Sequence, residues 1–238
     1  MDAISALLDW IANPDHWSGP SGVPNRLVEH IELSALAMLL AIVIALPIGL
    51  AIGHTGRLAL VAVAVANLGR AVPSYALLLM LFPFFGFGFS TALPALVLLA
   101  IPPMLTNTYT GIREVDRDLV EAGRGMGMSE RKLLTAVEVP IALPVIMAGI
   151  RTAAVQVVAT AGLAALVAGG GLGRFIVDGF GLQDDGQLLA GAILVAGLAI
   201  LVERVLTIVE GRMVSPGVRV TIGRVDEVQA QPLLTGSG

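Results

Sequence analysis

Blocks of almost unbroken apolar residues alternate along the chain with polar connections, and each approaches the roughly 20 residues that a helix needs to cross a bilayer. Leu33 to Gly53 is the cleanest block, interrupted only by Pro47. Leu58 to Phe89 contains Arg70 and Pro73 and reads as one bent or broken helix ending in the aromatic cluster FPFFGFGF. Ala92 to Asn107 carries Pro94, Pro102 and Pro103, and Ile141 to Ala168 and Gln187 to Val209 complete the set. The pattern predicts an all-α, polytopic membrane helical bundle of about five transmembrane helices. Residues 1–27 form an N-terminal interfacial segment, 28–212 the transmembrane domain and 213–238 a polar tail. One long polar stretch, residues 108–139, separates the third block from the fourth.

Composition agrees with this reading. Of 238 residues, 56% are hydrophobic and 13% charged, and the mean hydropathy is +0.87. A net charge of −4 offers no basic footprint for nucleic acid. With no cysteine, a disulfide scaffold, thiol catalysis and a Cys-ligated metal are excluded. The start, MDAISALLDWIANPDHW, has no basic n-region and is read as a short amphipathic helix, with Trp10 and Trp17 suited to a membrane interface.

Short cytoplasmic loops accumulate Lys and Arg. Arg57, then Arg113, Arg117, Arg124, Arg131 and Lys132, then Arg212, Arg219 and Arg224 all fall on one side of the expected topology. Arg26 and Arg174 fall on the other. The N-terminus is therefore expected outside, with the polar stretch and the C-terminus in the cytoplasm. The phenylalanines at 82, 84, 85, 87 and 89 fall at the outer end of the second span, where an aromatic belt is expected.

Within the polar stretch two short helices are predicted over residues 118–139. Asp118 and Glu121 have the spacing of a capping box. Gly123, Gly125 and Gly127 weaken and end the first helix. Ser129 caps the second, with Glu130 at the positive end of its dipole. Pro140 is expected to end it. Leu119, Val120, Met126, Met128, Leu133 and Leu134 give this elbow more apolar surface than a plain connector needs. Two readings stand: an amphipathic pair lying on the membrane, or a knuckle that fills a groove on a partner.

The remaining polar residues near or in the spans are Asn67, Arg70, Ser74, Tyr75, Asn107, Tyr109, Gln156 and Thr160. Arg70 lies about 13 residues into its span, about 20 Å deep at the helical rise. A charge there either lines a pathway or gate, or pairs with Glu or backbone carbonyls beside Pro73. Gln156 and Thr160 share a helix face, and such residues join helices as well as line pathways. GGGLG, residues 169–173, lacks the Lys-Ser/Thr ending of a phosphate loop and reads as a bend or re-entrant turn. His16, His30 and His54 are scattered, suit no metal cluster and read as loop or interfacial residues. Neither a metalloprotease nor a serine-hydrolase motif is present. A passive channel has no use for an elbow of this spacing.

Glu121-Ala122-Gly123, three residues, Gly127, nine residues and Val137-Glu138-Val139-Pro140 together resemble the EAA signature of permease subunits of ATP-binding cassette importers. Gly in place of the second Ala and Val in place of Ile and Leu are its departures. IGHTGR, AVPSYALL, LTNTYTGIREVD, EAGRGMGMSE, VPIALPVIMAGIRTA and GLAALVAGGGLGRFI extend the resemblance from about His30 to Arg212. They are most similar to the branch that imports glycine betaine, choline, carnitine and related osmoprotectants, with permeases for methionine, another amino acid or phosphonate sharing the framework. The resemblance implies a type I importer fold in a bacterial inner membrane. Residues 118–139 become coupling helices, with Asp118, Glu121, Ala122, Gly123, Gly127, Met128 and Pro140 as coupling positions. The chain itself is then no enzyme and holds no cofactor or metal; ATP and Mg belong to a separate ATPase. Further partners are a second permease subunit, identical or homologous, an extracytoplasmic substrate-binding protein and membrane lipid. Selectivity for a methylated ammonium normally needs an aromatic cage, and two Trp and two Tyr cannot supply one within the spans. The resemblance places selectivity on the binding protein.

Overall fold

The structure is a computed structural model that describes residues 3–213, and among these every regular element is helical. Helix α1 (Ala3–Ala12) and a 3-10 turn (Pro14–Trp17) lead into α2 (Val23–Thr55). Pro24 in the first turn of α2 sacrifices no hydrogen bond, and Gly56 at φ 69° ends the helix in the left-handed conformation. There follow α3 (Ala59–Ala71), α4 (Ser74–Phe85), α5 (Phe89–Arg113), α6 (Arg117–Gly125) and α7 (Glu130–Leu133). A π-helical turn (Leu134–Glu138) joins α7 to α8 (Val139–Ala161), and a 3-10 segment (Gly162–Val167) precedes α9 (Gly173–Leu182) and α10 (Asp185–Met213).

Four helical stretches among the described residues are long and apolar enough to cross a membrane: Val23–Thr55, Phe89–Arg113, Glu130–Val167 and Asp185–Met213. The predicted second span is the broken one. Pro73, which has no N–H to donate, separates α3 from α4, and at 13 and 12 residues each half reaches only about 20 Å. The apolar spans thus number five, four continuous and one interrupted. Two of them extend well beyond their hydrophobic blocks: α2 starts ten residues before Leu33, and α5 runs to Arg113, not Asn107. The tail from 214 on lies outside the described residues.

Lipid tails give no hydrophobic drive for helices to associate, so contact depends on close van der Waals approach. In α2 a buried row of small residues recurs at every fourth position: Ala37, Ala41, Ala45, Gly49 and Gly53. It packs on Ala92, Leu96, Ala100 and Met104 of α5 in one cluster. A Cβ on Gly49 would lie 2.7 Å from Cβ of Thr108, and one on Gly53 would lie 2.7 Å from Cβ of Ile112. On the other flank of α5, a Cβ on Gly149 would lie 2.6 Å from Cβ of Asn107, so α8 closes just as tightly. The bulky side chains of α2, including Leu39, Val43 and Ile48, point away from this seam and remain exposed.

Trp10 is not an interface residue, contrary to the sequence expectation. It is 5% exposed, packed edge-on against Phe175 at 5.3 Å and stacked on His16 at 4.2 Å. Gly186 lets α1 come down onto the start of α10, since a side chain there would strike the carbonyl of Ala6. Trp17 stays exposed, with its Nε1 donating to the Ile11 carbonyl. Two of the three histidines are helical and not loop residues, while His16 stays in the turn before α2. His30 is fully buried and its Nε2 pairs with the Val158 carbonyl at 2.9 Å. His54 sits inside a charged cluster described below.

Candidate functional site

The elbow is built from both ends inward. Asp116, not Asp118, caps α6: its side chain accepts from the Asp118 amide at 2.9 Å. From that cap the third helical residue is Leu119, which cannot close the predicted box with Glu121; Asp118 instead lends its charge to the first turn. The helix stops at Gly125. Gly127, at φ 78°, turns the chain while the Met128 amide donates to the Gly123 carbonyl at 3.1 Å. Gly123 is needed for approach, because a Cβ there would meet Leu133 at 2.7 Å. Ser129 caps α7 as predicted, accepting from the Lys132 amide at 3.4 Å.

The second helix does not end before Pro140. It runs on through the π-helical turn into α8, giving one continuous helix over Glu130–Val167. In that turn the Val139 amide donates to the Leu134 carbonyl, five residues back. The widened turn relieves the two objections to proline, the missing i→i−4 bond and the ring clash, and Pro140 falls in the first turn of α8.

The elbow has two faces. Val120 and Leu133, at 1% and 0% exposure, are anchored on Ile112, Val115, Ala142 and Ile146. Leu119 and Met126, at 50% and 71%, face outward with Asp118, Glu121 and Ala122. Gly127 and Pro140 are also exposed, and Met128 is half-buried. Arg124 grips Glu130 through two hydrogen bonds of 3.0 Å, and that carboxylate raises the guanidinium's affinity for its proton. The other side of Glu130 is 3.1 Å from Nε2 of His54, whose Nδ1 is 2.5 Å from Oε2 of Glu138.

A second feature lies within the spans. A cavity of about 390 Å³ brings together Ser74 of α4, Asn107 of α5 and Gln156 of α8. Tyr75 and Tyr109 do not line it, and Thr160 is buried elsewhere on α8. Arg70 belongs to α3, but its side chain lies outside the described residues. Sequence reasoning missed two lining residues, Thr106 and Thr152. Their signal is helical spacing: Thr152 lies four residues from Gln156, and Thr106 adjoins Asn107. Pro102 and Pro103 also line the cavity and deprive the Leu98 and Leu99 carbonyls of helical donors, while Thr106 and Asn107 bond back to the carbonyls of Pro102 and Pro103 at 2.8 Å. A groove of about 410 Å³ between α2, α8 and α10 is lined almost wholly by aliphatic side chains, and offers a hydrophilic solute nothing.

Sequence reasoning also overlooked an ion pair between spans. Arg151 of α8 is 2.9 Å from Glu210 of α10 and bonds Thr207 at 3.2 Å. The Arg stands in an apolar run, where a charge signals a partner on a neighbouring helix.

Residues 36–215 match the family described as binding-protein-dependent transport system inner membrane component. The carnitine transport permease protein of Listeria monocytogenes is 41% identical over 191 residues, covering 80% of this chain and 88% of that protein. The choline transport system permease protein of Bacillus subtilis is 37% identical over 194 residues, covering 82% and 89%. The osmoprotectant import permease protein of Salmonella typhimurium is 37% identical over 196 residues, covering 80% and 91%. Among solved structures, a chain of the inward-facing methionine ABC transporter superposes with a TM-score of 0.71 at 21% identity, covering 79% of this chain and 94% of that one.

Proposed function

Because the chain belongs to the family of binding-protein-dependent transport system inner membrane components, we propose that it is the permease subunit of an ATP-binding cassette importer for glycine betaine, choline, carnitine or a related osmoprotectant. Two such subunits, identical or homologous, enclose the pathway. A separate ATPase, which holds ATP and Mg, docks on the elbow, and a binding protein delivers solute to the opposite face. The N-terminus is outside and the C-terminus cytoplasmic. The substrate assignment rests on the named relatives. A methionine, other amino-acid or phosphonate permease has only the shared fold behind it.

The observation that carries the mechanism is the division of the elbow into an anchored and a presented face. Val120 and Leu133 fix it to the bundle, while Leu119, Glu121, Ala122 and Met126 are left to a partner. An elbow lying on lipid would turn such apolar residues toward the bundle's membrane flank and would need no Gly127 turn to shape it. When ATP closes the ATPase pair, the elbow moves as a lever on the helix Glu130–Val167. The spans rock and the cavity holding Ser74, Asn107 and Gln156 opens to alternate sides. Its neutral dipoles suit a zwitterion or cation that has to leave as readily as it enters.

The test is uptake by the reconstituted complex, with co-purification of the ATPase as the second readout. Glu121→Arg and Gly127→Trp are expected to abolish uptake and ATPase docking while the chain still inserts. Unchanged uptake in both variants would overturn the coupling assignment.

A further inference from the structure

Movement of the elbow reaches α8 through an unbroken helix, but α2 must receive it across space. His54 and Glu138, which join them, stand 84 residues apart in sequence. We propose that His54 is a positioning residue for coupling: held between Glu138 and Glu130, it ties the end of α2 to the elbow so that α2 and α8 move together. The proposal rests on the coupling role given to the elbow above.

Both ring nitrogens of His54 face carboxylate oxygens, at 2.5 Å and 3.1 Å. Both ring nitrogens are thus held by partners, and two glutamates from successive turns of the elbow converge on one side chain of α2. Glu138 is only 2% exposed, and a carboxylate is rarely buried without a partner. Its partner here is His54. Behind Glu130 stands Arg124, so four side chains run in one line of contacts from α6 through α7 and α2 to the π-helical turn. Arg113 of α5 approaches the same end of α2, where a Cβ on Gly56 would lie 3.1 Å from its guanidinium.

The π-helical turn supplies the aim. Successive residues of an α-helix point about 100° apart, so the extra residue in the wider turn rotates Glu138 relative to the elbow by about that angle. Net stability alone does not account for the arrangement, because a buried ion pair stabilises a fold little more than apolar residues of the same size would. What it supplies is a fixed register between two helices that share no chain connection at this end.

The complex with its ATPase is reconstituted into proteoliposomes with the binding protein, and ATP hydrolysed per molecule of glycine betaine or choline imported is measured. His54→Gln is expected to raise this ratio about tenfold, the size of a typical inter-site coupling, with the amount of assembled complex unchanged. Glu138→Gln should do the same, and the double variant no more, because both act through one contact. His54→Arg, which offers N–H donors to both carboxylates, should return the ratio to within about twofold of the unsubstituted protein. An unchanged ratio in His54→Gln, or single effects that multiply in the double variant, overturns the proposal. If His54→Gln yields too little protein because Glu138 is left buried and unpaired, the double variant carries the same measurement. Failure of the unsubstituted chain to co-purify with its ATPase removes the coupling reading, and the role of His54 with it.

Discussion

The two ends of the bundle are each secured by a histidine of α2, yet the targets differ. At the end that carries α1 and α9, His30 Nε2 pairs with the Val158 carbonyl at 2.9 Å and Glu29 accepts from the Gly171 amide at 2.8 Å. Both targets are backbone groups, made available where α8 gives way to the 3-10 segment and where Gly170 and Gly171 turn at positive φ. At the opposite end His54 meets the side chains of Glu130 and Glu138. A backbone target is fixed by the fold and ties two helices rigidly. Side-chain targets on the elbow tie α2 to the elbow itself, and so suit an end to which we assign the transmission of motion.

The largest expected effect comes from removing what aims the second arrangement. Deleting Ala136, an exposed residue of the π-helical turn, restores an α-helical register and turns everything before it by about 100° around α8. Glu130 then parts from His54, and Leu119, Glu121 and Met126 no longer present the face proposed for the partner. Complete loss of ATPase co-purification is expected, with insertion of the remaining spans intact. Assembly at the unsubstituted level would show that the turn is incidental.

Next in size is the rigid end. His30→Ala leaves the Val158 carbonyl unpaired in a site with no exposure, and losses of about 1–3 kcal/mol are expected for a buried polar group stripped of its partner. Unfolding in mixed detergent measures it, with His30→Gln, which retains a donor, recovering part of the loss. By contrast the His54→Gln, Glu138→Gln double variant, which strands no buried carboxylate, should alter coupling far more than unfolding. Equal stability losses at both histidines would erase the distinction between the ends.

Much of the fold is legible in local pattern. The apolar blocks give the spans, Pro73 gives the break and Ser129 gives a cap, whereas the row of small residues from Ala37 to Gly53 is recognised as a seam only once α5 is seen against it. What fails is what depends on register or on distance along the chain. A π-helical turn has no composition of its own, so Pro140 reads as a stop although the helix continues through it. Trp10 reads as an interfacial residue because Phe175, which covers it, comes from an element far away in sequence. Of the positions proposed for coupling, Glu121, Ala122 and Gly127 follow from motif spacing, whereas the role proposed for His54 and Glu138 arises only once α2 stands beside the elbow. Ser74, Asn107 and Gln156 are each visible as polar residues near or in apolar runs, but their convergence on one cavity is a property of three helices.

The smallest effect separates charge from hydrogen bonding at the rigid end. Oε2 of Glu29 accepts from the Gly171 amide and also pairs with Arg26, each at 2.8 Å. Arg26 and Glu29 are one helical turn apart and partly exposed, so the ionic part is worth about 0–1 kcal/mol. Glu29→Gln keeps an acceptor for the Gly171 amide and should unfold within that margin of the unsubstituted protein. Glu29→Ala strands the amide of a buried glycine and should lose about 1–3 kcal/mol. If Gln falls as far as Ala, the Glu29 tie depends on the Arg26 ion pair and not on the acceptor offered to the Gly171 amide, and this end is no longer set apart by its backbone target.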